Sequence, residues 1–163
     1  MRRTLLAVLA LALLAGCGTT SAGSAEPPQL PDATLKPLLP AGEPVDLGAL
    51  RGPAVINLWA NWCGPCRREM PIYQRFHQEH PDVDVLGIDW RDPAHDRAVA
   101  FAQETGVTYP LVVDTSGEVV RNKVLPRLIL VDPSGTVVYS ENLEIKSLEQ
   151  LEKLVRTHLE AAL

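Results

Sequence analysis

The chain has 163 residues, of which 46% are hydrophobic and 21% charged, and its 15 basic and 20 acidic side chains give a net charge of -5. This length suits one globular domain with a single core. The first 16 residues hold two of the basic side chains and no acid, so the remainder has 13 basic and 20 acidic groups. An acidic body argues against a protein that binds nucleic acid through its phosphates. The 4 histidines and 3 cysteines are too few for a disulfide-stapled miniprotein or a four-cysteine zinc module.

Residues 1–16 predict a lipoprotein signal peptide. Two arginines precede an unbroken apolar run that is shorter than the about 20 residues needed to span a bilayer. The run ends in Leu14-Ala15-Gly16-Cys17, which resembles the lipobox of bacterial lipoproteins, in which the cysteine is lipidated and begins the mature chain. We therefore expect lipid on Cys17 and a protein anchored on the extracytoplasmic side of the cell membrane. The alternative is an ordinary secretory signal cleaved near Ala22 or Ala25.

Residues 17–33 predict a flexible tether. They are small and polar, are interrupted by prolines and show no apolar periodicity. The folded domain is therefore expected to occupy residues 34–163.

Strands and helices alternate along this predicted domain. The predicted strands are an edge hairpin of residues 35–39 and 43–47, buried strands at 54–60 and 83–88, and a second hairpin of 127–131 and 136–139. The predicted helices run from the CGPC segment to about His80 with Pro71 inside, over residues 93–105, and from Ser147 through a Ser-Leu-Glu-Gln capping box. In the second helix, Asp92 is the expected N-cap and Pro93 the first helical residue. This order predicts an α/β fold with a mixed sheet.

The segment Trp62-Cys63-Gly64-Pro65-Cys66 is expected where a buried strand turns into a helix. At such a junction the first thiol meets unpaired backbone N–H groups and the positive end of the helix dipole, which favour its thiolate. The second sulfur lies one helical turn on, close enough to attack a mixed disulfide and release the partner. We therefore expect Cys63 to be the exposed nucleophile and Cys66 the buried resolving thiol.

From about Leu35 to Leu163 the chain resembles thioredoxin-fold proteins, and more narrowly the TlpA/ResA/DsbE group of envelope thiol-disulfide oxidoreductases. The resemblance rests on WANWCGPC at 59–66, Glu69-Met70-Pro71, the strand and turn at 83–92, and Val124-Leu125-Pro126. It implies a thioredoxin-like fold, a central mixed sheet flanked by helices, to which residues 35–47 add an N-terminal β-hairpin extension.

The resemblance also implies a client-binding surface around the cysteines. Pro126 is the expected cis-proline facing the disulfide, and it leaves the backbone of Leu125 free to pair with an extended substrate. The remaining residues expected to contact the substrate are Trp62, Gly64, Pro65 and Arg127.

Two residues depart from the usual pattern. Asn57 stands six residues before the nucleophile, where cytoplasmic thioredoxins carry a buried aspartate, and it cannot take a proton. The TlpA-like group uses an acid at the end of the next strand; Asp92 matches it best and Asp89 second, and either can equally be an N-cap or surface acid. Arg127 occupies a position where the group usually has threonine. It is expected either to stabilise the thiolate and make the pair more oxidising, or to contact the substrate.

The sequence thus predicts a lipid-anchored thiol-disulfide oxidoreductase that needs no cofactor and no metal. A reductase of the cytochrome c maturation kind is preferred because Gly-Pro between the cysteines resembles reducing thioredoxins, whereas Arg127 and an oxidising compartment favour an oxidase. The expected partners are client proteins with cysteines or disulfides and a membrane protein that supplies or accepts electrons. The competing class is a copper(I) carrier, but such carriers usually add a distal histidine, and none lies beside Pro126 in the sequence.

Overall fold

The computed structural model describes residues 28–121 and 124–159, which form one seven-stranded sheet and three helices. The strands are β1 (Thr34–Pro37), β2 (Val45–Asp46), β3 (Ala54–Trp59), β4 (Asp84–Trp90), β5 (Leu111–Asp114), β6 (Arg127–Val131) and β7 (Val137–Glu141). The helices are α1 (Gly64–Glu79), α2 (His95–Thr105) and α3 (Leu148–Leu159). The predicted mixed α/β architecture and both predicted hairpins are confirmed.

The strand order is β2-β1-β5-β4-β3-β6-β7. The central strands β3, β4 and β5 are parallel, and antiparallel strands complete the sheet on both sides. All six residues of β3 are buried, as expected for a central strand covered on both faces. Its carboxyl end leads directly into the cysteine motif and α1, so the strand–helix junction predicted for the motif is confirmed.

The two faces of the sheet are covered differently. Helix α1 connects β3 to β4, and α2 connects β4 to β5, so both connections step across the sheet in the same direction. Because such connections between parallel strands are right-handed, both helices lie on the same face of the sheet. The buried apolar residues of all three helices share one hydrophobic cluster with Val55 and Trp59 of β3. On the opposite face, Ile56 and Leu58 pack with Leu35 and Leu47 from the N-terminal hairpin region. The hairpin extension therefore protects apolar surface that the three helices leave uncovered.

The folded domain begins before its predicted start at residue 34. Leu30 is buried in the second cluster, Gln29 forms a β-bridge with Thr136, and the carbonyl oxygen of Pro28 accepts a hydrogen bond from the N–H of Val137 at 2.8 Å. The signal peptide, Cys17 and the rest of the predicted tether lie outside the described residues. No helix within the described ranges is long and apolar enough to cross a membrane.

Two further expectations differ from the structure. Strand β5 was not predicted, because four residues after Pro110 are too few to show a period. Helix α2 begins at His95 with Ala94 as N-cap and no side-chain cap, so the prediction of Asp92 as N-cap and Pro93 as first helical residue is wrong. The carboxylate of Asp92 instead bonds across to the loop that precedes the cysteines, because Arg91 adopts a left-handed backbone conformation with φ 49°.

Candidate active site

Cys63 and Cys66 form a disulfide at the start of α1, with Cα atoms 5.3 Å apart. Cys63 is the N-cap residue, and its Sγ accepts a hydrogen bond from the backbone N–H of Cys66 at 3.2 Å. Once the bond is reduced, the same N–H and the helix dipole stabilise a thiolate at Cys63. Cys63 is 4% exposed and Cys66 0%. Both are buried in the disulfide form, so the expectation of an exposed Cys63 is wrong there, and the small accessible surface of the pair belongs to the predicted nucleophile.

Pro126 lies at the same edge of the sheet as the cysteine motif. In the antiparallel register, Arg127 pairs with Leu58. Pro126 therefore lies beside Trp59, the last residue of β3, and Trp59 precedes Cys63 by four residues. The Leu125–Pro126 peptide bond is cis, and Pro126 itself is buried. The proline isomer implied by the resemblance is therefore present.

The other predicted substrate-binding residues surround this edge. Trp62 is 56% exposed, Gly64 is exposed, and Pro65 in the first turn of α1 is half-buried. Leu125 is also half-buried and is preceded by an exposed Val124. A large apolar ring that stays exposed beside a disulfide suits contact with another chain better than stability of this one.

Arg127 points away from the face that carries α1. It pairs with Leu58, whose side chain lies in the second cluster, whereas Trp59 faces the helices. Paired residues of an antiparallel ladder project to the same face. The guanidinium donates to the carbonyl oxygen of Ser140 at 3.5 Å, and its buried Nε has no partner. The contacts of Arg127 therefore favour a role in the β6–β7 hairpin over a charge placed on the disulfide.

Glu69 is buried on α1, three residues after Cys66. Residues three apart share one helix face, so its carboxyl group lies one turn from the resolving cysteine. Its Oε2 accepts the N–H of Ile145 at 2.9 Å, and its Oε1 has no partner. Burial raises the pKa of Glu69 to about 8, against a smaller lowering by the bond from Ile145. Glu69 was not predicted as a site residue; the signal was a charged side chain on the apolar face of α1.

Asp89 is a second buried acid, on β4 opposite Trp59 in the parallel register. Neither of its oxygens meets a hydrogen-bond donor. The pKa of Asp89 is raised to about 8, mainly by burial and in smaller part by the neighbouring carboxylate of Asp92. The raised pKa keeps Asp89 mainly protonated at neutral pH. Asn57 is also fully buried, and its amide has no hydrogen-bond partner.

Asp92, the favoured acid of the sequence analysis, has a different environment. It is 6% exposed, and Asn61 supplies both a backbone and a side-chain donor to its carboxylate. Its Oδ1 also accepts the N–H of Ala94 at 3.0 Å. These three donors satisfy the Asp92 carboxylate, whereas neither oxygen of Asp89 has a hydrogen-bond partner. Of the two candidate acids, Asp89 is therefore better suited to holding a proton.

The described residues bring one group of metal-type ligands together, at the far end of α1. Ligand atoms of Glu79, His80 and Glu152 lie within 4.8 Å of one another. The His80 Nε2 is 2.9 Å from Glu152, while Arg75 and Arg156 pair with the two glutamates. Because arginines already neutralise both carboxylates, we interpret the group as a tie between α1 and α3.

The fold and this site define a class of protein. A disulfide at the strand–helix junction, with a cis-proline at the same sheet edge, is the arrangement of a thioredoxin-like thiol-disulfide oxidoreductase. The chain belongs to the AhpC/TSA family, whose model matches residues 28–140.

Known proteins agree with this assignment. The thioredoxin-like protein YneN of Bacillus subtilis is 30% identical over 136 residues, which cover 78% of this chain and 79% of that protein. The thiol-disulfide oxidoreductase ResA of Geobacillus thermodenitrificans is 31% identical over 139 residues, covering 82% and 78%. The crystal structure of a secreted thiol-disulfide isomerase from Corynebacterium glutamicum superposes with a TM-score of 0.67 at 26% identity, covering 82% and 86%. The predicted fold and the predicted enzyme class are confirmed.

Proposed function

We propose that this protein is a protein-disulfide reductase, lipid-anchored on the extracytoplasmic face of the cell membrane, that passes electrons to client proteins through Cys63 and Cys66. The observation that carries the proposal is the cysteine pair at the N-terminus of α1, with two buried acids, Glu69 and Asp89, in the adjoining core.

The exchange proceeds in two steps. The Cys63 thiolate attacks a client disulfide, forms a mixed disulfide and releases the first client sulfur as a thiolate, which takes up a proton. Cys66 then loses its proton and attacks Cys63, so that the Cys63–Cys66 disulfide forms and the second client thiol leaves. Two electrons and two protons reach the client in all. Glu69 and Asp89 are the buried groups suited to accepting or returning the proton of Cys66 near neutral pH.

The charges around the pair support the reducing direction. The arginines that flank the motif and the cis-proline each engage another group: Arg67 stacks over Phe101 and bonds Glu104, Arg68 pairs with Glu144, and Arg127 bonds Ser140. Cations that are already paired stabilise a thiolate less than free cations do, and a less stable reduced form has a lower reduction potential. Buried acids act in the same direction when they ionise.

The proposed clients are extracytoplasmic proteins whose cysteines must be kept reduced, such as the haem-binding CxxCH segment of a c-type cytochrome. The exposed ring of Trp62 would supply an apolar contact to an extended segment of this kind. The backbone of Leu125, which is half-buried, would supply hydrogen bonds to the backbone of the same segment. Because each turnover leaves this protein oxidised, a membrane protein must return two electrons to it. In the oxidase alternative the same membrane partner accepts them.

The reduction potential tests the direction of electron flow. The full-length protein in detergent is equilibrated with dithiol redox buffers, and the thiol content of the Cys63–Cys66 pair is titrated. We expect a reduction potential of about -270 mV, the value of reducing thioredoxins. The reduced protein should also reduce an oxidised CxxCH peptide in the same assay. A potential above about -180 mV, in the range of disulfide-forming catalysts, would support the oxidase instead.

Membrane attachment is tested at Cys17. We expect the wild-type chain, expressed in a bacterium, to enter the detergent-rich phase in a phase-partitioning experiment, because a lipidated cysteine with two or more acyl chains anchors stably. Cys17→Ser should move to the aqueous phase, while Cys66→Ser, the matched cysteine control, should partition like the wild type. Equal partitioning of wild type and Cys17→Ser would refute the lipid anchor.

A further inference from the structure

The loop that carries the nucleophile is tied to the end of the neighbouring strand. Asn61, two residues before Cys63, donates its backbone N–H to Oδ2 of Asp92 at 2.6 Å. Its side-chain amide donates to the same carboxylate. These bonds join positions 31 residues apart in the sequence, one after β3 and the other after β4.

The backbone around Asp92 is shaped to make this contact. Arg91 has a φ of 49°, a left-handed conformation that is uncommon for a residue with a side chain. The N–H of Arg91 bonds the carbonyl oxygen of Asp114 at 2.8 Å, so the turn is attached to the end of β5. Its side chain packs against Gly117, where an added Cβ would lie 2.5 Å from the arginine Cδ. The chain thus bends at Arg91, and Asp92 lies within hydrogen-bond distance of Asn61.

The tied loop determines where the nucleophile lies. The N–H of Cys63 bonds the carbonyl oxygen of Ala60 at 3.0 Å, which closes a turn over residues 60–63. Asn61 lies inside this turn and Cys63 ends it as the N-cap of α1. Fixing Asn61 therefore fixes the approach of the Cys63 sulfur to the helix N-terminus and to a client disulfide.

We propose that Asn61 and Asp92 form a positioning pair that holds the turn 60–63, and with it the Cys63 sulfur, in the geometry for attack on client disulfides. The inference rests on the proposed function and deepens it, because it gives Asp92 the role of holding a loop rather than of carrying a proton. Neither residue touches the reacting sulfurs in this role; both act through the backbone of the turn.

A double-mutant cycle tests the pair in the full-length protein in detergent. The variants are Asn61→Ala, Asp92→Ala and their combination, and the readout is the rate at which the reduced protein reduces a model protein disulfide. We expect each single variant to be slower by about tenfold, as for a displaced reacting group, and the double variant to be no slower than Asp92→Ala. Independent effects that multiply in the double variant would overturn the pairing.

The conservative variant Asp92→Asn separates positioning from proton transfer. An asparagine at position 92 still accepts the Asn61 N–H through its carbonyl oxygen but cannot carry a proton. We expect Asp92→Asn to keep most of the wild-type rate, with an unchanged pH profile of Cys63 alkylation. A full loss of rate with a displaced pH profile, while Asn61→Ala has no effect, would assign the proton role to Asp92 and refute the inference.

Amide hydrogen exchange observes the tie without any enzyme assay. In the oxidised wild type the backbone N–H of residue 61 should be protected from exchange. In Asp92→Ala its exchange should accelerate by at least tenfold. The control Asp132→Asn alters a carboxylate in the distant β6–β7 turn and should leave the exchange rate of residue 61 unchanged. Unaltered exchange in Asp92→Ala would overturn the proposal. Failure of the proposed function looks different: the wild type itself would not reduce the model disulfide.

Discussion

A Cys66→Ser variant should accumulate mixed disulfides with its clients, while a Cys63→Ser variant should accumulate none. Cys63 is the more accessible sulfur of the pair, and it accepts a hydrogen bond from the N–H of Cys66. We therefore expect Cys63 to form the first bond to the client. Release of the client then depends on the thiol at position 66, which is fully buried one turn further along α1. In the wild type the Cys66 thiol attacks the mixed disulfide within the same molecule. In Cys66→Ser a free thiol from solution must do so, and release of the client should therefore slow by on the order of 10³-fold or more.

The experiment is cleanest in a Cys17→Ser background, because the two active-site cysteines then remain as the sole thiols of the chain. Trapped complexes are separated by non-reducing electrophoresis and must disappear on addition of dithiothreitol. The Cys63→Ser chain is the matched control, since it has the same number of thiols and the same fold. Equal trapping by the two variants would show that either sulfur can attack, and the assignment of roles would be wrong.

Protein stability should fall as the pH rises from about 5 to about 8, because two buried acids keep their protons in the folded protein while the same groups ionise in the unfolded chain. Burial raises the pKa of Glu69 from 4.5 and that of Asp89 from 3.8, each to about 8. The folded state therefore binds more protons than the unfolded state between these limits. The stabilisation from the neutral forms is complete below about pH 4 and is lost as the pH approaches the folded-state pKa. Since one pKa unit corresponds to about 1.4 kcal/mol, the loss should reach a few kcal/mol per group.

Urea unfolding of the oxidised protein at several pH values measures this slope. Asp89→Asn and Glu69→Gln should each flatten it, so that the variants gain stability relative to the wild type as the pH rises. Asp132→Asn is the control: hydrogen bonds from Ser134 and Thr136 lower the pKa of Asp132, and its contribution therefore changes only in acid, below this range. A slope in Asp89→Asn and Glu69→Gln that equals the wild-type slope would show that neither acid stays protonated in the fold.

Local residue pattern was enough to predict most of the elements. The apolar run of β3, the turn residues of the β6–β7 hairpin and the Ser147 cap of α3 each depend on neighbours within a few positions. The Ser147 cap is present, with its Oγ accepting the N–H of Gln150 at 3.1 Å. Strand β5 escaped prediction because its partner β4 lies more than 20 residues earlier, and its four residues carry little signal of their own.

The features of the active site also divide into those that local sequence predicts and those that depend on the tertiary structure. The redox pair was predictable because CGPC joins a buried strand to a helix N-terminus, and both effects on the thiol come from the adjacent backbone. The sequence by itself thus determined the chemistry of the cysteines, the cis-proline and the class of enzyme. Three features needed the tertiary structure: the burial of Glu69 and Asp89, the bonds of Asp92 to the distant Asn61, and the direction of Arg127. Each depends on which side chains distant segments bring into contact and on how much water they exclude, and those are properties of the packed sheet and helices rather than of any local pattern.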